Sequence, residues 1–368
     1  MYGRMPLNST VGSTTTGAPT AYLGHCLVTG AAGFVGSHLV QALLQRGLRV
    51  RALVRNSPLP LQHNRLECIQ GDIRDAEQML QACAGIDTVF HTAAMIATLG
   101  GRAVTRAYRE QAYAINVTGT ENVIRACQQQ GVRRLVHTSS VDACFNGETD
   151  LHMDEHTPYA TRFGCVYQET KVPAEQAVLA ANTPGGLMTC ALRPDGIWGA
   201  GGSLMLDMLF EKLKARQLVV RIGGMGGIHD HVHIENLVSA HLLAANALVP
   251  GSPVCGKAYF ISDGVPARMF QFARPFIEGL GYRVPRFSIP TATLMWLMTA
   301  WEWLHFKAGI PVPMFTPHEL TKLTVSTVVS SAAASRDFGY RPVKTVAEGM
   351  REAVAHYLGA DQGERGSC

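Results

Sequence analysis

Tyr167 and Lys171 stand four residues apart, a spacing that puts both side chains on one face of a helix and brings the ammonium towards the phenol. A free phenol titrates at about pH 10 and is a poor base near neutrality. A fixed positive charge beside it stabilises the phenolate and makes proton exchange with an alcohol feasible. The expectation is a Tyr167 acid/base whose pKa Lys171 lowers. The pair gains weight from its place, between a run ending in Thr138-Ser139-Ser140 and one ending in Leu192-Arg193-Pro194. A serine at a strand end can donate a hydrogen bond to a substrate oxygen and steady a developing alkoxide. Ser140 fits that role, whereas Thr138 and Ser139 fit turn caps. Asn116 is a fourth candidate, an amide able to hold a water in a proton path, although the same position suits a helix-packing asparagine.

Upstream, Gly30-Ala31-Ala32-Gly33-Phe34-Val35-Gly36 follows the apolar run Cys26-Leu27-Val28-Thr29 and opens an amphipathic stretch. In that strand, turn and helix setting the first glycine permits a tight turn and the second lets the main chain approach a pyrophosphate. The third lets the helix pack on the sheet, while helix N–H groups face the phosphates. A dinucleotide is the ligand this predicts. The second strand ends in Leu53-Val54-Arg55-Asn56, with no acid for a ribose 2′-hydroxyl and a guanidinium suited to a 2′-phosphate. NADP is therefore preferred and NAD remains open, as does Arg55 as a solvated strand-end residue. Gly71-Asp72-Ile73 puts an aspartate where it can reach an adenine amino group or, equally, cap a turn.

Positioning these groups takes alternating strands and helices. Six strand-like runs precede residue 195, separated by helical patterns, which predicts a parallel sheet with crossover helices. The expected fold is α/β: a doubly wound parallel (Rossmann) sheet over 25–193, with a smaller C-terminal substrate-binding lobe over 194–360 that returns elements to the sheet. Residues 1–24, rich in Ser, Thr and Gly, read as a flexible leader, and 361–368 as a flexible tail.

The 368-residue chain is 47% hydrophobic and 16% charged, the balance of a globular enzyme with a substantial core. Its net charge of +4 comes without a Lys/Arg-rich block, so no nucleic-acid footprint is present. Nine cysteines, none in C-x-x-C spacing, point to reduced thiols in the cytoplasm. The most apolar stretch, 291–304 (TATLMWLMTAWEWL), contains Glu302 and falls short of the about 20 residues a span requires. It is expected as an amphipathic helix over the substrate pocket or as a peripheral membrane contact. A homodimer is a further expectation.

The set TGAAGFVG, GDIRD, VFHTAA, NVTGTENV, HTSSV, Y-x-x-x-K and LRPDGIWG resembles the extended short-chain dehydrogenase/reductases, and within them the 3β-hydroxysteroid dehydrogenase/isomerase and sterol-4α-carboxylate 3-dehydrogenase branch. The resemblance runs over about residues 25 to 358 and takes in HVHIENLVSAHLLAA, GKAYFISDGVP and RDFGYRPVKTVAEGM. It implies Ser140, Tyr167 and Lys171 as a catalytic triad with Asn116 as fourth member. It implies a cofactor set of Gly30, Ala32, Gly33, Phe34, Val35, Gly36, Arg55, Asp72, Ile73 and Ala93, with Tyr167 and Lys171. The reaction implied is hydride transfer between NADP, or NAD, and a secondary alcohol or ketone, with a small apolar 3β-hydroxysteroid or sterol-like substrate. One departure stands out: Val54 occupies the place where this branch usually carries an NAD-selecting aspartate.

His229-Asp230-His231-Val232-His233 would put three imidazoles on one face of a strand, but no carboxylate or cysteine ligand pattern accompanies it, so no metal site is expected. Rival readings are an NADPH-dependent ketone reductase of the dihydroflavonol-reductase or β-ketoacyl type and, from another class, a non-catalytic NADP-binding regulator. A regulator of that kind typically loses the tyrosine or lysine, and both are present here.

Overall fold

The computed structural model describes residues 23–100, 104–224, 226–313 and 315–365. Residues 1–22 and 366–368, where most of the expected leader and the end of the expected tail fall, lie outside the described residues.

Seven parallel strands form the main sheet: β1 (His25–Thr29), β2 (Arg49–Val54), β3 (Leu66–Gln70), β4 (Thr88–His91), β5 (Arg134–Thr138), β6 (Met188–Pro194) and β7 (Lys257–Ile261). Their spatial order is β7-β6-β5-β4-β1-β2-β3. The first six are the runs expected from sequence; the seventh comes from the far half of the chain and pairs with β6 from Lys257↔Cys190 to Ile261↔Pro194. All seven residues of β6 are buried, as a strand covered on both faces and both edges must be.

Among the described residues twelve α-helices accompany the strands. Five belong to the first half: α1 (Phe34–Gln45), α2 (Ala76–Cys83), α3 (Arg106–Tyr113), α4 (Gly119–Gln129) and α5 (Val166–Ala180). The rest are α6 (Leu204–Lys214), α7 (Ile234–Ala247), α8 (Met269–Gly279), α9 (Thr291–Ala308), α10 (Pro317–Thr324), α11 (Ala332–Phe338) and α12 (Val346–Arg365). One face of the sheet packs on Leu39, Val40 and Leu43 of α1 with Leu237 and Ala240 of α7. The other packs on Met79 of α2, Val123 and Cys127 of α4 and Val178 of α5. A separate core of Leu206, Phe210, Phe272, Phe276, Ala353 and Tyr357 joins α6, α8 and α12. Helix α12 continues to Arg365, so the stretch from 361 expected as flexible tail is helical up to that residue.

The strand order reverses between β1 and β4, and the crevice at their carboxyl ends is where open α/β sheets take ligands. Three hydroxyl contacts stitch that edge: Thr29 Oγ1 to His91 Nδ1 (2.8 Å), Thr92 Oγ1 to the Thr29 carbonyl (2.7 Å), and Ala93 N to Thr29 Oγ1 (3.3 Å).

Helix α9 covers the stretch read as apolar, and its burial runs against its hydropathy. Its one buried residue is Glu302, which accepts a hydrogen bond from Gly100 N at 3.1 Å, while Trp296 is 71% exposed and Leu297, Trp301, Trp303 and Leu304 also face outward. Among the described residues no helix is long and apolar enough to cross a membrane.

Candidate active site

Two adjoining clefts along the carboxyl edge share Gly30, Gly33, Thr92 and Ala94, so they form one groove. The first half is lined by Gly30, Ala32, Gly33, Val54, Arg55, Asp72, Ile73 and Ala93. Phe34, Val35 and Gly36 line the second half, which has a volume of about 590 Å³, together with Ser140, Tyr167 and Lys171. Of the residues named from sequence, only Asn116 is set back from the groove wall.

The glycine turn does its steric work in two places. Gly30 has φ 67°, and a Cβ there would sit 2.8 Å from Ala93 Cα on the neighbouring strand end. A Cβ on Gly36 would come within 2.2 Å of the Gly30 carbonyl oxygen, so helix α1 can approach the turn only without one. Gly33 caps α1 with no side-chain hydrogen bond, which leaves first-turn N–H groups available to an anion. A groove with a side-chain-free cradle and a bare helix N-terminus fits a dinucleotide pyrophosphate. Asp72 reaches this half of the groove with its carboxylate held by Arg74, whose Nη2 lies 2.6 Å from Oδ2. Arg55 is exposed at the end of β2, its carbonyl accepting from Gln70 Nε2 at 3.1 Å.

In the second half, α5 places Tyr167 and Lys171 on one face as the spacing requires, with the ammonium 5.7 Å from the phenol ring centroid. Lys171 is 2% exposed and donates to the Thr138 carbonyl at 2.7 Å, which anchors it to the end of β5. Burial pushes its pKa down to about 8, against the pull of Glu175 and Asp142. Ser140 caps the short turn Val141–Ala143; its Oγ donates to Asp142 Oδ2 at 3.1 Å and accepts from Asp142 N at 3.2 Å. The phenol departs from expectation. Burial, reinforced by the Asp142 carboxylate, raises Tyr167 above its usual value, while the Ser140 hydrogen bond and the Lys322 ammonium pull it back. Desolvation outweighs cationic help in the protein alone.

Asn116 makes the contacts of the helix-packing alternative. It lies in a single π-helical turn, Ala114–Thr118, ahead of α4. Its Oδ1 accepts from Met95 N at 2.7 Å, and its Nδ2 donates to Met95 O at 2.9 Å and to Thr170 Oγ1 at 2.8 Å. Both amide donors are thus spent on protein, and the side chain clamps the segment after β4 to α5. The histidine run breaks into two short strands, Ile228–His229 and Val232–His233; His229 and His231 line the groove while His233 caps α7. Among the described residues no group of His, Cys, Asp and Glu is arranged to hold a metal.

Among the charged groove residues that the sequence does not single out are Asp142, Asp195, His318 and Lys322. Asp142 and Asp195 follow the TSS and LRP strand ends and were within its reach, as acids just past a ligand-bearing edge. Lys322 bonds Asp142 across 180 positions, and no local pattern announces that.

Known proteins match this chain over nearly its whole length. A 3 beta-hydroxysteroid dehydrogenase/Delta 5→4-isomerase of Mycobacterium tuberculosis is 44% identical over 339 residues, 92% of each chain. A 3-beta-hydroxysteroid dehydrogenase of Mycolicibacterium neoaurum is 43% identical over 336 residues, covering 91% of this chain and 92% of that one. The structure of MoeE5 in complex with UDP-glucuronic acid and NAD superposes with a TM-score of 0.71 at 25% identity, over 92% of this chain and 100% of that one. Fold, groove and relatives together define an NAD(P)-dependent short-chain dehydrogenase/reductase acting on CH–OH groups. Within that class, residues 27–291 match the 3-beta hydroxysteroid dehydrogenase/isomerase family, and the chain belongs to it.

Proposed function

We propose that the protein oxidises the 3β-hydroxyl of a steroid or sterol-like alcohol, reversibly, with Tyr167 as acid/base. The observation that carries this reading is the convergence of Ser140, Tyr167 and Lys171 on one groove that is also lined by the apolar side chains of Leu204, Met205, Met208, Phe315 and Leu323. A nicotinamide dinucleotide held by Gly30, Gly33 and Gly36 supplies the hydride acceptor. Tyr167 takes the hydroxyl proton, Ser140 holds the substrate oxygen, and Lys171 adds positive charge beside the phenol. Asn116 keeps α5 in register with the β4 end. The steroid substrate is favoured by the names of the Mycobacterium tuberculosis and Mycolicibacterium neoaurum relatives. Arg55 and the missing acid at Val54 favour NADP, with NAD as the second cofactor.

The test is absorbance at 340 nm during oxidation of a 3β-hydroxysteroid with each cofactor. Steroid-dependent reduction, a larger kcat/KM with NADP, and a loss of about 10²–10⁴-fold in Tyr167→Phe are expected. An unchanged rate in that variant overturns the mechanism, and turnover confined to dihydroflavonol or β-ketoacyl ketones overturns the substrate.

The same reading extends to α9. Trp296, Trp303 and Phe287 face outward, the cations Arg283, Arg286 and Lys307 that flank them in the chain are exposed, and the helix's single acid points in. That combination suits the interface of an anionic lipid surface. Sedimentation with phosphatidylglycerol vesicles, weakened at least several-fold by Trp296→Ser/Trp303→Ser, supports the contact. Concentration-dependent dimerisation through the same face, without vesicle binding, replaces it with a homodimer.

A further inference from the structure

Beside Tyr167, the groove holds a partly buried ionic bridge for which the hydride-transfer scheme has no use. Lys322 of α10 stands 3.2 Å from Asp142 Oδ1 and 3.2 Å from Asp195 Oδ1, with its ammonium 5.3 Å from the centre of the Phe145 ring. The two carboxylates belong to segments just past β5 and β6, so one lysine from the C-terminal lobe ties together two sheet-edge loops. Asp142 splits its oxygens: Oδ1 faces Lys322 and, at 3.6 Å, His318 Nε2, while Oδ2 takes the Ser140 hydroxyl at 3.1 Å.

We infer that Lys322 is a positioning residue for the Ser140–Tyr167 pair, holding Asp142 in place and offsetting its negative charge beside the phenol. This rests on the reading of Tyr167 as acid/base. The argument is electrostatic and geometric. An uncompensated carboxylate one hydrogen bond from Ser140 would keep the phenol protonated and hold the serine hydroxyl more tightly, against the substrate oxygen that competes for it. With Lys322 present, the carboxylate is bridged on its far oxygen, and its charge is shared among buried partners. Although burial opposes it, Lys322, followed by His318, holds Asp142 well below the usual carboxylate range, and Lys322 with His229 does the same for Asp195. The two acids in turn hold the Lys322 ammonium well above the ordinary lysine value, so the bridge stays charged near neutrality.

The other ionisable groups around it are few. Lys171 and Cys165 sit on or beside α5, His229 and His231 face Asp195 from the segment before α7, and Glu319 lies one turn before Lys322 on α10. Burial lowers His231 to about 4, so it stays neutral in the working range. The Asp142–Lys322 contact is therefore a charge balance acting on the phenol that a single substitution can reverse.

The experiment is the pH profile of kcat/KM for alcohol oxidation in the full-length protein with cofactor, between about pH 6 and 10, where a Tyr base must lose its proton. Lys322→Met is expected to move the limb upward by about one unit and lower the neutral-pH rate about tenfold, because a carboxylate within a few ångströms now lacks its counter-ion. Lys322→Arg should restore the limb. Asp142→Asn, which leaves Lys322 paired with Asp195, should move it downward, and this variant decides the matter if Lys322→Met does not fold. Fluorescence titration of cofactor binding confirms that each variant keeps the dinucleotide half of the groove. Limbs that coincide with wild type in Lys322→Met, or in Asp142→Asn where only that variant folds, overturn the inference even if activity falls. Tyr167→Phe separates the two claims: if it stays active the acid/base reading fails, whereas an inactive Tyr167→Phe with unmoved limbs sinks Lys322 alone.

Discussion

The two walls of the groove are held by different forces. The sheet-edge wall, from Gly30 to Gly36 and from Tyr167 to Lys171, is fixed by backbone: strand register, a turn closed by the Gly33 N to Gly30 O bond at 2.9 Å, and one helical face. The lobe wall is fixed by charge, through Lys322 between Asp142 and Asp195. Backbone geometry tolerates changes of pH and salt but not an added methyl group. A buried ion bridge tolerates neighbouring volume changes but depends on every member keeping its charge.

Two perturbations should separate the walls. The larger is Gly36→Val. Its Cβ would lie 2.2 Å from the Gly30 carbonyl oxygen, so α1 must shift off the turn, with a stability cost of about 1–3 kcal/mol and loss of cofactor binding by fluorescence titration. Retained affinity would show that the turn is softer than its packing implies. The smaller is acidification. Asp142 and Asp195 are depressed in the folded protein, so their stabilising contribution is present above the unfolded carboxylate pKa of about 4 and is lost as pH falls through the folded values. In Lys322→Met those buried acids have lost their cation and gain by taking protons. The gap in melting temperature between wild type and Lys322→Met should therefore narrow below about pH 4. A constant gap would mean that Lys322 acts through packing.

This division also explains what could be read from the chain beforehand. The glycine turn, the Tyr167/Lys171 pair and the first six strands are local patterns, in which period and spacing carry the geometry directly. The phenol's raised pKa is not legible in the sequence, because burial is a property of the assembled groove and outweighs the Ser140 hydrogen bond and the Lys322 charge. For Asn116 the sequence leaves a water-holding and a helix-packing part open, and the partners that fill the second, Met95 and Thr170, come from two other segments. Lys322 sits in PHELTKLT, an ordinary amphipathic pattern whose capping box at Thr316 and Glu319 predicts a helix and nothing about what it touches. The inverted burial of α9 is likewise tertiary: hydropathy found the helix, and only its neighbours decided that Glu302 faces in.

Strand β7 has a consequence for biosynthesis. Until residue 261 emerges, β6 is an open edge of seven apolar-flanked positions, MTCALRP, with its outer row of amides and carbonyls unpaired. Every nascent chain passes through a stage in which two-thirds of the protein has been made and its sheet still lacks a border. Such an edge recruits other strands, so synthesis stalled between β6 and β7 should yield aggregates, and a truncation at the end of β6 should be insoluble even though it carries the whole glycine turn and the Tyr167/Lys171 pair.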